Sequence, residues 1–287
     1  MSHIYTSYVA VGDSFTEGVG DDLPDGRVRG WADLVALGLA LAAAPQSSPE
    51  PGAASDSLQP GAASDSPKRG AASDSPEPSV PVTYANLAIR GRLLAPIVAG
   101  QMDAAIALRP QLLSINGGGN DIMRPRVSIA SITDQLEAAV DRATEAGIHV
   151  LLASGANPTR HLPLGAMIEA RGDRLAEAIR ERLLKNNVTF VDNWADSELA
   201  DIRFWSHDKL HLNSRGHERV AGNVLSALGV QIPGAATEHP TIPTQRTADY
   251  WRQYVLPWIG RRVTGRSSGD NREPKFATLT PVDVPQA

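Results

Sequence analysis

The sequence predicts an α/β protein, a parallel sheet covered by helices on both faces. Three observations carry this. Five short apolar runs recur along the chain, without the period-two alternation of a half-exposed sheet. Helix-like stretches separate them, as parallel crossovers require. Glycine-rich polar segments follow several of the runs, where an open α/β sheet places its sites.

Taken in order, "SYVAVG" from Ser7 is a buried strand, and "WADLVALGLALAAA" from Trp31 is a helix rich in Ala and Leu. "VTYANLA" from Val82 is the second strand, and Arg92 to Leu108 reads as one helix. "QLLSIN" from Gln111 is the third strand. It precedes a helix from Ser128 to Ala146 that Gly147 stops. "HVLLASG" from His149 is the fourth strand and residues 165–186 the next helix. "VTFVDNW" from Val188 is the fifth, and Ser214 to Leu228 a closing helix with Gly229 after it.

Residues 45–80 stand apart. Gly52, Gly61 and Gly70 each begin the same GAASDS, nine residues apart. Repeats this short and polar bury too little apolar area to offset ordering entropy, so the segment is predicted to be a disordered loop inserted in the domain. The main domain is therefore placed at 1–232, with a C-terminal extension at 233–287. In that extension Tyr250, Trp251, Tyr254, Val255 and Trp258 fall at helical spacing and predict one docked helix. "RRVTGRSSGDNREPK", residues 261–275, reads as a basic, solvated tail.

Composition narrows the function. The chain has 287 residues, 42% hydrophobic and 21% charged, enough for one large core. A net charge of −5 argues against a general nucleic-acid or membrane-surface binder. There are no cysteines, which removes disulfides, thiol catalysis and cysteine-ligated metals. The N-terminus lacks the pattern of a cleaved leader, and no run of eighteen apolar residues occurs, so a soluble cytoplasmic protein is expected. The sequence carries no signal for oligomeric state.

Four polar segments lie beyond predicted strands: Gly12-Asp13-Ser14, "NLAIRG" ending at Gly91, "NGGGND" from Asn116, and "WSHDKLHLN" from Trp205. The carboxyl ends of parallel strands share one edge, so all four can converge. Together they resemble the SGNH (GDSL-type) hydrolase family. Gly12-Asp13-Ser14 is similar to its first block, Gly91 to its second-block glycine, Gly118-Gly119-Asn120-Asp121 to its third block and Asp208-Lys209-Leu210-His211 to its fifth. The resemblance covers residues 4–44 and 81–230. It implies a flavodoxin-like, three-layer α/β/α fold with a five-stranded parallel sheet.

It also implies a serine esterase without metal or cofactor, acting on a small-molecule ester. Ser14 is the expected nucleophile, His211 the base that takes its proton, and Asp208 the group that holds the imidazole. The Ser14 N–H, the Gly91 N–H and the Asn120 amide are the implied oxyanion donors. Arg90, Arg124 and Trp205 are candidate pocket residues. The arginines, with Arg126, serve either to attract an anionic acyl donor or to pair with surface carboxylates. Asp13 and Asp121 read as residues that bond neighbouring turns.

Three other readings stand beside this one. His207, His211 and His217 have the histidine spacing of a zinc-protease motif, but Asp208 replaces its glutamate and no helix precedes Ser214. "GRSSG" at 265–269 matches a nucleophile elbow by letter, yet no strand precedes it and no histidine follows. From another class, the chain is a non-catalytic binding or scaffold protein on a hydrolase fold, using the repeat loop and basic tail to recruit partners.

Overall fold

The computed structural model describes residues 5–44, 81–162, 165–230 and 268–284. The repeat loop at 45–80, the expected helix at 248–260 and the first part of the basic tail lie outside the described residues.

The five expected strands form: β1 (Ser7–Val11), β2 (Thr83–Asn86), β3 (Leu112–Ile115), β4 (His149–Ala153) and β5 (Val188–Val191). They pair in parallel in the spatial order β5-β4-β3-β1-β2. A sixth strand, β6 (Phe276–Pro281), adds antiparallel to the free edge of β2. The sheet thus has six strands where sequence alone gave five. Its edge position suits β6, because Pro281 brings no N–H to the ladder.

Register decides which residues face which layer. Tyr8 pairs with Leu112 and points into the core shared with α2 (Trp31–Ala43) and α8 (Ser214–Ala227). Val9, Leu113 and Val150 share the opposite face. There they meet α3 (Leu94–Gly100), α4 (Met102–Ala107), α6 (Ile129–Glu145) and α7 (Gly165–Arg182). Both faces are apolar, so the strands read as continuous hydrophobic runs. α6 shows the local logic. The Ser131 N–H donates to the Ser128 side chain at 3.1 Å, the helix buries Ile132, Leu136, Ala139, Val140 and Ala143, and Gly147 follows at φ 78°.

The helix expected from Arg92 to Leu108 is two helices, α3 and α4, broken at Gln101. The Gln101 side chain accepts from the Gly12 N–H at 2.8 Å and donates to the Gly12 carbonyl at 2.9 Å. It therefore pairs like a strand residue with the backbone beside Ser14. Chain order reverses about β1, whose neighbours β2 and β3 lie on opposite sides. That is the position where open α/β sheets form a crevice. Two short helices open into it, α1 (Ser14–Glu17) after β1 and α5 (Gly119–Ile122) after β3.

Candidate active site

Ser14 is the first residue of α1, directly beyond β1. The turn before it depends on Gly12. A Cβ there would meet the Thr16 Oγ1 at 2.5 Å and the Asn116 carbonyl oxygen at 3.0 Å. Asp13 caps the turn by accepting from the Phe15 N–H at 3.0 Å.

His211 reaches Ser14 from a loop 197 positions later, with Nε2 3.1 Å from Oγ. Its other ring nitrogen, Nδ1, lies 2.5 Å from Asp208 Oδ2. An ionised carboxylate only accepts, so Nδ1 carries the proton and Nε2 presents its lone pair to the serine. The gap of three residues closes because Lys209 takes a left-handed conformation, φ 55°. Asp208 Oδ1 then accepts from the Ser206 hydroxyl at 2.7 Å and from the Leu210 and His211 N–H groups, each at 3.0 Å. Burial alone would raise the Asp208 carboxyl. The imidazole and these donors overcome it and hold the group well below the usual carboxylate range.

The loop carrying His211 is fixed from both sides. Asn213 caps α8 by accepting from the Gly216 N–H, and its amide donates to the Arg203 and Trp205 carbonyls. The Ser214 hydroxyl donates to Asp21 at 2.5 Å, which ties the loop to the segment after α1. Gly20 lies against it so closely that a Cβ there would sit 2.0 Å from the Leu212 carbonyl oxygen.

Asn120, in α5, donates its side-chain amide to Asp13 Oδ2 at 2.9 Å and to the Arg92 carbonyl at 3.0 Å. The other three blocks all share hydrogen bonds with the first: Asn120 through Asp13, His211 through Ser14, and the second block through the Ile89 N–H, donated to the Gly12 carbonyl at 3.2 Å. Gly91 occupies the turn after β2 at φ 73°, one residue before the Arg92 carbonyl. Asp121 bonds across the same space, accepting from the Leu94 N–H at 3.0 Å. Asp13 is buried, and desolvation pushes its carboxyl up to about 6 despite the Phe15 N–H and the nearby imidazole.

A cavity of about 120 Å³ adjoins these groups, lined by Ser14, Asn120 and His211. Trp205 lines it, with its indole N–H donated to the Leu199 carbonyl at 2.7 Å. Gly91, Arg90 and Arg124 are not among the lining residues. Arg90 turns instead to buried Glu17, donating to it from Nε at 2.8 Å and from Nη2 at 2.5 Å, and its backbone N–H meets the same carboxylate at 2.6 Å. Arg124 and Arg126 are exposed on the turn after α5. Placing Arg90 and Arg124 in the pocket is thus corrected: a buried acid claims one, and the other stands outside the cavity.

The three histidines of the zinc-like spacing are not gathered into one ligand set. His217 is fully buried beneath Trp31, whose N–H donates to Nδ1 at 3.2 Å, and its Nε2 faces the Val19 carbonyl at 3.3 Å. Burial drives its pKa down to about 4, so it is a neutral core histidine. Among the described residues no group of three or more His, Asp or Glu is disposed to hold a metal ion. His211 itself precedes α8 rather than lying on a helix.

Sequence reasoning missed Gln101 and Glu17, which brace the first and second blocks. It also missed the apolar cavity lining contributed by α6 and α7, including Leu136, Leu175 and Ile179. The only sequence signal for Glu17 is its place three residues after Ser14. Leu136 and Ile179 have none, since their spacing is that of ordinary core.

The profile of the GDSL-like Lipase/Acylhydrolase family matches residues 62–219. That range holds Asp208 and His211 and stops short of Ser14, which the fold brings to them. No curated protein matches the sequence. Solved structures share the fold. A lipase from a goat rumen metagenome superposes with a TM-score of 0.56 at 15% identity, covering 78% of this chain and 97% of its own. The acetylxylan esterase Axe2 of Geobacillus stearothermophilus gives 0.52 at 18% identity, over 79% and 95%. TesA gives 0.51 at 20% identity, over 77% and 97%.

Proposed function

The chain belongs to the GDSL-like lipase/acylhydrolase family, and on that premise we propose that it cleaves carboxylic esters of small acyl groups through an acyl-serine intermediate on Ser14. The observation that carries this reading is the relay at the cavity: Asp208 Oδ2 to His211 Nδ1 at 2.5 Å, and His211 Nε2 to Ser14 Oγ at 3.1 Å. A serine hydroxyl is a weak nucleophile, and a base within hydrogen-bond reach is what activates it.

In the first half-reaction the Ser14 Oγ–H proton passes to His211 Nε2 as Oγ bonds to the ester carbonyl carbon. The carbonyl oxygen takes the negative charge. Collapse of this intermediate breaks the bond to the alkoxy oxygen, which leaves as the alcohol with the proton from His211. A water then gives its proton to the same nitrogen and attacks the acyl carbon; the bond from that carbon to Oγ breaks, the acid leaves, and His211 returns the proton to Ser14 Oγ. Asp208, held anionic by its donors, stabilises the imidazolium formed in each half-reaction.

The oxyanion is assigned to the Ser14 N–H, the Gly91 N–H and the Asn120 amide. Ser14 begins α1, so its N–H has no acceptor within the helix. The Asn120 amide donates to Asp13 and Arg92 without substrate, and one of these hydrogens is the one to be drawn to the oxyanion. Such a donor is worth about 10²–10³ in turnover.

The test is hydrolysis of short p-nitrophenyl esters, with labelling by a fluorophosphonate probe. Wild type is expected to turn over and to be labelled at Ser14. Ser14→Ala and His211→Ala are expected to lose at least about 10³-fold in rate. Equal rates in all three proteins, with Ser14 unlabelled, would leave the scaffold reading in its place.

A further inference from the structure

The cavity does not end at the serine. From Ser14, Asn120 and His211 it continues past Ile115 and Leu152, at the carboxyl ends of β3 and β4, to Leu136 on α6 and Ile179 on α7. Two of the polar groups in its lining, Asn116 and Ser154, are already engaged. Asn116 donates to the Ala153 carbonyl at 2.8 Å, and Ser154 donates to Asp192 at 3.1 Å. Beyond them the walls are Leu, Ile, Phe and Trp side chains.

Trp194 forms part of the wall. Its backbone N–H donates to the Ser154 hydroxyl at 2.9 Å and its indole N–H to Asp173 at 2.9 Å, so the residue is held at its backbone and at its ring nitrogen. The indole lies against α7 at Gly172, where a Cβ would sit 2.0 Å from the Trp194 Cζ2. A glycine in the middle of an 18-residue helix is unfavourable for the helix itself. Here it is explained by the ring that rests on it.

We propose that this apolar recess is the acyl-chain site, built for a short unbranched aliphatic acyl group. Trp194 on Gly172 sets its width, and Ile179 with Leu136 sets its depth. The inference rests on Ser14 being the nucleophile, because only then does the chain of an acyl group esterified to Ser14 Oγ run into the recess. The occupant follows from chemistry and size. No charged side chain waits at the far end, so the chain carries no head group there. A cavity of roughly 150 Å³ accommodates benzene, and the whole cavity here, the space at Ser14 and His211 included, is about 120 Å³, so the chain it takes is short, at most about four to six carbons.

Chain-length profiles test this. With p-nitrophenyl acetate, butyrate, hexanoate, octanoate and decanoate, wild-type kcat/KM is expected to peak at butyrate or hexanoate and to fall about tenfold or more by decanoate. Ile179→Phe shortens the recess, so the ratio of hexanoate to acetate hydrolysis drops about tenfold. Trp194→Ala opens the wall, so the ratio of octanoate to butyrate hydrolysis rises. A parallel series of acetate esters with lengthening alcohols is expected to show no such dependence on Ile179. Ser14-dependent hydrolysis with a profile that neither variant moves overturns the acyl-site inference and leaves the esterase reading intact. So does a profile that tracks the alcohol rather than the acid.

If wild type cleaves none of these esters, the esterase reading fails on its own. The recess is then judged by ligand binding. Folded Ser14→Ala, checked by its thermal melt, is titrated with hexanoate and with acetate while tryptophan fluorescence is followed. Saturable quenching by hexanoate that Ile179→Phe abolishes supports an aliphatic acyl site, and its absence refutes one.

Discussion

The Asn120 side-chain nitrogen lies 2.9 Å from Asp13 Oδ2, joining the turn after β3 to the turn that carries Ser14. The same nitrogen reaches the Arg92 carbonyl at 3.0 Å, so a third turn, that of Gly91, is held in the same bond set. Asp13 is therefore a positioning residue. It is not one of the groups assigned to the reaction, yet it bonds the amide assigned to the oxyanion and caps the turn that presents Ser14, the proposed nucleophile.

Asp13→Asn keeps the volume and removes the charge. The amide of an asparagine here must show a donor either to Phe15 or to Asn120, so one of the two bonds fails. The expected result on a short ester is a fall in kcat of about 10–100-fold with KM little changed, since the loss lies in the transition state. A change confined to KM refutes the positioning role.

Asp13 also sets a pH dependence. Its folded pKa, about 6, is raised above the ordinary value of 3.8 by burial. A raised acid contributes stability that is fully present below the unfolded pKa and is lost as pH rises through the folded one. Wild type is thus expected to lose stability relative to Asp13→Asn as pH goes from 4 to 7. Urea unfolding of both proteins across that range measures it. A constant difference contradicts the shift.

His217 gives the opposite slope. Burial lowers its pKa from 6.5 to about 4, so the folded state resists the proton that the unfolded state accepts. Its contribution is present above pH 6.5 and is lost as pH falls towards 4, by about 3 kcal/mol over the window. His217→Asn is expected to be less stable at neutral pH, because the bonds to Trp31 and Val19 are disturbed, but to lack this acid-side loss. Parallel stability curves for the two proteins would show that His217 does not titrate in that window.

Much of this was legible because it is local. The runs from Ser7, Val82, Gln111, His149 and Val188 became β1 to β5, since an apolar run between glycine and polar turns has few other fates. Four blocks beyond those strands had to share an edge once the sheet was parallel. What failed to show was non-local. The Arg92–Leu108 pattern is unbroken in sequence, and only Gln101 meeting Gly12, 89 positions away, splits the helix. Arg90 looked like a substrate contact because its partner, Glu17, lies 73 positions earlier. β6 was unreadable because "FATLTP" gains its meaning from the open edge of β2, nearly two hundred residues back. The recess under α7 was invisible because cavity lining and solid core use the same residues at the same spacing.

That distant strand carries a consequence of its own. Lys275, just before β6, donates to Asp33 at 2.7 Å in the first turn of α2, and both side chains are largely buried. Burial raises the Asp33 carboxyl, and the ammonium opposes it. Asp33 also accepts from the Gly30 N–H at 2.7 Å, so it is needed where it is. Lys275→Ala leaves a buried carboxylate without its cation, at a cost of about 3 kcal/mol or more. The Asp33 pKa then rises further, so the penalty should be largest at neutral pH and shrink as pH falls and the carboxyl is protonated. Adding Asp33→Asn should recover part of the loss, since no charge remains to be stranded. The three proteins unfolded in urea at pH 7 and pH 5 decide it. If Lys275→Ala is as stable as wild type at both, the ammonium is not what holds Asp33 in the interior, and the described C-terminal segment stays in place by its other contacts, among them the β6 ladder, Phe276 against Tyr84 and Arg272 beside Glu17.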